Sequence, residues 1–183
     1  TVTNALLEEK HFLIRSQKPS VDYRLYLGAT RNNIREIENT KASGVKVYLG
    51  SSTGSPLMND YAHLEEIIKV SPVQVLVHAE AQECIERNWI EIEKKFIGDG
   101  KNINEMDASL HSLIRSDECA AICALKVIDI VRRVQKPVYF CHVSAKDEID
   151  LLEKAKREEG LPVFIEVTPH HLFLTDKVYE THG

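Results

Sequence analysis

Apolar residues along this chain fall into short runs bounded by glycine, proline or polar clusters, separated by longer stretches with a helical repeat. Three runs stand out: Gly-Val-Lys-Val-Tyr-Leu-Gly at 44–50, Val-Gln-Val-Leu-Val-His at 73–78 and Val-Tyr-Phe-Cys-His at 138–142. Runs that are apolar on both faces and rich in β-branched residues predict strands of a parallel sheet covered on each side. Shorter runs at 23–27 and 161–167 bring the count to five. Helices are predicted from Ala5 onward behind a Thr3-Asn4 cap, over 33–42 with Gly44 as the stop, and over 61–69. Further helices are predicted over 81–96, broken at Gly98-Asp99-Gly100, over 117–134 and over 146–159, with one more short helix near residue 183. Alternating strands and helices predict an α/β fold with a parallel sheet. A closed (β/α)8 barrel has eight strands and typically about 250 residues, so five strands fit either a small open sheet or an incomplete barrel.

Three of the strands carry a nitrogen side chain in a comparable place. Lys46 sits inside an apolar run, where a buried ammonium is costly unless it is paired or chemically changed. His78 and His142 end their strands, and the carboxyl ends of parallel strands are where sites gather. Period-two alternation places Lys46 with Tyr48, His78 with Leu76 and Gln74, His142 with Phe140, and Glu166 with Phe164 and Thr168. If these faces all point inward, a lysine, two histidines and a glutamate converge. The alternative is a set of separately hydrogen-bonded core residues, which needs an independent reason for each.

CO2 adding to the Lys46 amine would give a carbamate able to bridge two metal ions. Burial favours this by lowering a lysine pKa from about 10.4 toward the unprotonated form. Imidazole with carboxylate-like oxygen suits zinc, and a two-metal site activates water and polarises a carbonyl. Glu166 reads as the partner of a ligating histidine rather than a ligand. His170, in Pro169-His170-His171, reads as a supporting or structural residue. Cys141 falls on the face opposite His142 and reads as packing. His11, His63, His111 and His182 read as surface residues. The loop from Gly50 to Pro56 lacks the lysine of a P-loop and the G-x-G-x-x-G pattern, so it reads as a mobile loop over the site.

Bulk properties narrow the partners. The 183 residues fit one domain, and a net charge of −5 gives no reason to expect nucleic acid or an anionic membrane. No apolar run approaches the roughly 20 residues of a membrane span, and the N-terminus lacks a secretory pattern. Cys84, Cys119, Cys123 and Cys141 show no disulfide-framework spacing, and Cys119 and Cys123 share one helix as packing residues. Reduced thiols and a cytoplasmic setting are expected.

Together, Val45-Lys46-Val47-Tyr48-Leu49-Gly50-Ser51-Ser52-Thr53-Gly54, Val77-His78-Ala79-Glu80, Cys141-His142-Val143-Ser144 and Glu166-Val167-Thr168-Pro169-His170-His171-Leu172 resemble the amidohydrolase superfamily. More narrowly they resemble dihydroorotases of the class related to hydantoinases and allantoinases. Arg115-Ser116-Asp117-Glu118 stands where relatives often carry Arg-Pro-x-x-Glu, and the proline is absent here.

The resemblance implies a parallel (β/α)8 TIM barrel and two zinc ions, bridged by Lys46 as carboxylysine, with His78 and His142 ligating one of them. It implies that residues 1–183 are a partial catalytic barrel, family strands three to seven, lacking the first two strands and the last. The family's His-x-His pair, substrate arginine and catalytic aspartate then lie outside the chain, which holds no catalytic residue and is expected to be inactive alone. In such a fragment Lys46 is expected to stay a free amine and to seek Glu80 or Glu166. The implied reaction is the reversible cyclisation of N-carbamoyl-L-aspartate to L-dihydroorotate in pyrimidine synthesis, on a small-molecule substrate and compatibly with a homo-oligomer. The alternatives are another cyclic amidohydrolase (allantoinase or dihydropyrimidinase) or a non-catalytic assembly protein of the same superfamily.

Overall fold

The computed structural model describes residues 1–51 and 58–179. In chain order the elements are α1 (Asn4–Ser16), β1 (Tyr26–Gly28), α2 (Ile34–Glu38), β2 (Gly44–Tyr48), α3 (Tyr61–Val70), β3 (Val75–His78) and α4 (Gln82–Gly98). They continue with α5 (His111–Ile114), α6 (Asp117–Val134), β4 (Val138–Phe140), α7 (Lys146–Arg157), β5 (Val163–Ile165) and α8 (Pro169–Phe173). The five strands form one sheet in the order β1-β2-β3-β4-β5, every neighbouring pair parallel. Parallel neighbours joined by helices in sequence order are the wall of a (β/α) barrel, here incomplete.

Several elements are shorter than the apolar runs suggested. Strand β1 begins at Tyr26, and α2 stops at Glu38, after which Thr40 donates to Asn4 Oδ1 of α1 at 2.9 Å and accepts from the Ala42 N–H at 3.2 Å. Strands β4 and β5 end at Phe140 and Ile165, so His142 and Glu166 lie just past the ladder rather than in it. Helix α6 matches the predicted span, closed by Gln135 in the left-handed conformation (φ 56°). The predicted loop between α4 and α6 contains α5 and two 3-10 turns. Residues 52–57, most of the loop expected over the site, lie outside the described residues, as does His182.

Register separates the two faces of the sheet. Val45, Val75, Val138 and Val163 pair in one row, and Val47, Val77 and Phe140 continue that face; all are buried. They pack with Leu64, Ile67 and Ile68 of α3, Val127, Ile128 and Val131 of α6, and Leu152 and Ala155 of α7. This is the main core, formed where helical and strand stripes meet.

The other face carries Lys46, Leu76, Tyr139 and Phe164 in one row, followed by Tyr48 and His78. It is not covered as the apolar runs suggested: Tyr26 is 50% and Phe164 47% exposed. Lys46 is accordingly half-buried rather than fully buried. In a closed barrel this face is the interior, and strand residues suited to an interior read as buried on both sides.

The cysteines correct a second expectation. Cys84, at the start of α4, and Cys119, in the first turn of α6, are joined as a disulfide. The Ala81 N–H donates to the Cys119 carbonyl at 2.9 Å and holds the two helix starts together. A separation of 35 residues hides such a contact from spacing arguments. Cys123 is free and buried, as its helical packing position implied. Among the described residues, no helix is long and apolar enough to cross a membrane.

Helix α7 contains an unusual carboxyl. Glu148 is only 5% exposed, and burial pushes it up to about 7 from an ordinary 4.5, against the Ser144 backbone N–H, which favours the charged form. Between these pH values the unfolded chain gives up a proton that the folded chain keeps. Stability should therefore fall as pH rises from about 4.5 to about 7 and level off above that. The decline attributable to this group is about 3 kcal/mol. Chemical denaturation at pH 5 and pH 8 is expected to show that decline in the native sequence and to show it removed in Glu148→Gln.

Candidate metal centre

The carboxyl ends of β2 to β4 and the segments after them surround a cavity of about 440 Å³. Its wall includes His78, Glu80, Arg115, Cys141, His142 and His171. His78 closes β3, and its Nδ1 stands 3.1 Å from Nε2 of His142, with the rings 4.9 Å apart at 60°. The two histidines singled out by sequence therefore meet.

They do not meet by simple alternation. Tyr139 pairs with Leu76 and so shares the Lys46 face, whereas Phe140 lies in the helix-side core. Continued alternation would send His142 after Phe140 toward the helices, so the expected sharing of an inward face by those two residues is corrected. His142 instead adopts φ 42°, in the left-handed region that non-glycine residues adopt rarely, and this turns its ring into the cavity. Cys141 correspondingly lines the cavity beside Lys46 instead of packing away from it. Burial lifts its thiol above the ordinary value, and the Lys46 ammonium pulls it the other way.

Lys46 lies with its Nζ 5.2 Å from the centre of the Tyr48 ring, and that ring is 6.0 Å from His78. The expected pairing with Glu80 or Glu166 is not what the structure shows, because both carboxylates are engaged elsewhere. Glu80 Oε2 is 2.8 Å from His78 Nε2 and also contacts Arg115, whose guanidinium reaches the Ser51 carbonyl as well. The His78–Glu80 approach is that of an ion pair without a hydrogen bond's direction, and His78 Nε2 has no hydrogen-bond partner among the described residues. Burial works against ionising Glu80, but His78 and Arg115 outweigh it and hold the carboxyl below its usual range. Gly50 makes room for this arrangement, since a Cβ there would lie 2.8 Å from Glu80 Cβ and 3.1 Å from its carbonyl oxygen. Glu166 accepts the His142 backbone N–H at Oε1 and the Tyr139 hydroxyl at Oε2, each at 3.1 Å.

His170 is exposed, with its Nε2 3.1 Å from Thr168 Oγ1, while its neighbour His171 borders the cavity with a buried Nδ1 that has no hydrogen-bond partner among the described residues. His111 is exposed, as expected, at the edge of the cavity, and His63 is held between Thr30 and Glu66. Arg115 is the residue sequence reasoning undervalued. It lies between α5 and α6, and its contacts with Glu80 and Ser51 leave no local pattern in the chain.

No family model matches the sequence. It is 29% identical over 189 aligned positions to a protein named dihydroorotase from Methanosarcina acetivorans, covering 98% of this chain and 38% of that protein. A dihydroorotase from Pyrococcus horikoshii is 32% identical over 169 positions, covering 92% of this chain and 32% of its own length. This chain is a relative of dihydroorotases. It spans about two fifths of three curated dihydroorotases that it matches (38–40%). Among solved structures, a D-hydantoinase superposes with a TM-score of 0.81 over 99% of this chain and 39% of its own. The L-hydantoinase from Arthrobacter aurescens gives 0.82 over 100% and 40%; both are 22% identical and share the barrel fold.

The donor set of this dihydroorotase relative can be tested against zinc. Two nitrogens on one tetrahedral zinc stand roughly 3.3 Å apart, given bonds of about 2.0–2.1 Å. The His78 Nδ1 to His142 Nε2 separation of 3.1 Å matches that spacing. Burial, with His78 and Lys46 nearby, holds His142 below the ordinary imidazole range, favouring the neutral ring that ligates metals. Among the described residues no third His, Cys, Asp or Glu completes a metal-binding group with them. The residues present fit the metal.

Glu80 faces His78 Nε2, on the opposite side of the ring from the nitrogen that approaches His142, and a carboxylate in such a place fixes a histidine ring. Glu80→Gln in the full-length protein is expected to weaken zinc binding about 10- to 100-fold, measured by competition with a chelator.

Proposed function

We propose that this chain forms the central part of the barrel of a dihydroorotase that interconverts N-carbamoyl-L-aspartate and L-dihydroorotate with two zinc ions. The observation that carries this reading is the meeting of His78 Nδ1 and His142 Nε2 at 3.1 Å on the Lys46 side of the sheet. It occurs in a chain that dihydroorotase-named relatives match over 98% of its length. His78 and His142 would hold one zinc ion, and Lys46, as a CO2-derived carbamate, would bridge it to the second. When bound, the zinc pair polarises an amide carbonyl and makes water a usable nucleophile near neutral pH.

The rest of the chemistry is supplied by side chains. Glu80 Oε2, 2.8 Å from His78 Nε2, would hold the ring with its Nδ1 toward the metal. Arg115 fixes Glu80 and ties it to the end of β2 through the Ser51 carbonyl. The cavity, about 440 Å³, lies in the size range of small-molecule sites, and His171 is part of its wall. A catalytic aspartate and a His-x-His pair are expected from parts of the protein outside these residues. A cytoplasmic setting and a role in pyrimidine synthesis are proposed with the activity. Free Cys123 and Cys141 support that setting, and the Cys84–Cys119 disulfide is the exception to it.

Turnover of N-carbamoyl-L-aspartate, allantoin and dihydrouracil by the zinc-loaded full-length protein tests the proposal. Selective turnover of N-carbamoyl-L-aspartate and L-dihydroorotate is the expected result. Preference for allantoin or dihydrouracil would assign the site to a sister cyclic amidohydrolase, and no turnover of any would support the non-catalytic alternative.

A further inference from the structure

The backbone around His142 departs from a regular parallel ladder. The Glu166 N–H donates to the Phe140 carbonyl at 2.9 Å, and in an unbroken ladder the His142 N–H would then donate to the Glu166 carbonyl. That carbonyl instead receives the Val143 N–H at 2.8 Å. One extra residue has been inserted in the β4 side of the pair, which is a β-bulge, a device that re-aims a side chain beside a site. The bulge and the left-handed φ of 42° together bring His142 from the helix side of the sheet into the cavity.

The bulge leaves the His142 N–H without its ladder partner, and a backbone donor away from water needs a replacement. Glu166 Oε1 provides it at 3.1 Å. The second oxygen is held by the Tyr139 hydroxyl, also at 3.1 Å. This contact follows from register: Tyr139 pairs with Phe164, and Glu166 is two residues beyond Phe164 on the same face. The usual support for a ligating histidine is a carboxylate on its free ring nitrogen. Here the carboxylate acts on the backbone instead.

We propose that Glu166 and Tyr139 are positioning residues that lock the bulge at Cys141-His142 and thereby present His142 Nε2 to the metal. The inference rests on the reading of His142 as a zinc ligand. Zinc affinity by chelator competition and thermal unfolding are to be measured on the full-length protein and on Glu166→Leu, Glu166→Gln and Tyr139→Phe. Glu166→Leu removes the acceptor and should weaken zinc about 10- to 100-fold. Glu166→Gln keeps an oxygen for the His142 N–H and should stay within about 3-fold of wild type, since only the acceptor is required. Tyr139→Phe frees the carboxylate without removing it and should fall between them.

Absence of zinc from the wild-type protein would defeat the metal-centre reading and this inference with it. Zinc held equally by wild type and Glu166→Leu would overturn the positioning role alone. Equal losses in Glu166→Leu and Glu166→Gln would assign the effect to carboxylate charge and would also overturn it. Should Glu166→Leu fail to unfold cooperatively, the other two variants decide: weakened zinc in Tyr139→Phe with retention in Glu166→Gln supports the lock, and unchanged affinity in Tyr139→Phe overturns it.

Discussion

Replacing Lys46 with alanine is expected to lower turnover of N-carbamoyl-L-aspartate by the full-length protein at least about 10³-fold. A Lewis-acid interaction contributes several kcal/mol, and each 1.36 kcal/mol is tenfold in rate. Lys46 stands on the face of β2 that carries Tyr48 and pairs across to Leu76 and His78, so it lies on the same side of the sheet as His78. Lysine is the residue here that CO2 can convert into a two-oxygen bridge, and alanine leaves nothing in that position. The fold should survive, because Lys46 lies outside the helix-side core and makes no ion pair among the described residues. Steady-state kinetics with metal analysis checks this. An alanine variant that keeps two zinc ions and wild-type turnover would remove Lys46 from the site.

The second large effect is on stability. Phe140→Ala should destabilise the protein by about 3–5 kcal/mol, the usual cost of deleting a buried aromatic side chain. Phe140 is fully buried and sits between Val77 and Ile165 in the sheet, facing the helix-side core. Truncation leaves a cavity that the flanking strands cannot close without disturbing the ladder. At about 2–4 °C per kcal/mol for a domain of this size, Tm should drop by roughly 6–20 °C in thermal unfolding. A drop of under about 2 °C would show that the site repacks and that Phe140 is not central to the core.

The strands and most helices were legible because the periodicities differ so clearly. Helix α6 could be read to its ends, since a long amphipathic repeat leaves little choice of boundary. Lys46, His78 and His142 were legible as site candidates because nitrogen side chains in apolar strands are conspicuous against their surroundings. The way His142 enters the site was not legible. Alternation tracks a regular strand, and a single inserted residue reverses every face beyond it. Cys141 needs no such shift, since regular alternation from Tyr139 already places it on the cavity side.

Lys46 looked fully buried because its strand is apolar on both sides. Sequence shows a residue's suitability for an interior without showing whether the five described strands enclose one. The Cys84–Cys119 disulfide and the Arg115 contact with Glu80 depend on where α4 and α6 begin in space. Neither separation, 35 residues in each case, leaves a local pattern in the chain.

Anomalous diffraction at the zinc edge, on crystals of the full-length protein grown with zinc, tests the central claim most directly. The predicted result is a peak about 2.0–2.1 Å from both His78 Nδ1 and His142 Nε2, with Lys46 extended by a carbamate toward it. A zinc ion bound elsewhere, or a histidine pair without metal in zinc-replete crystals, would contradict the account.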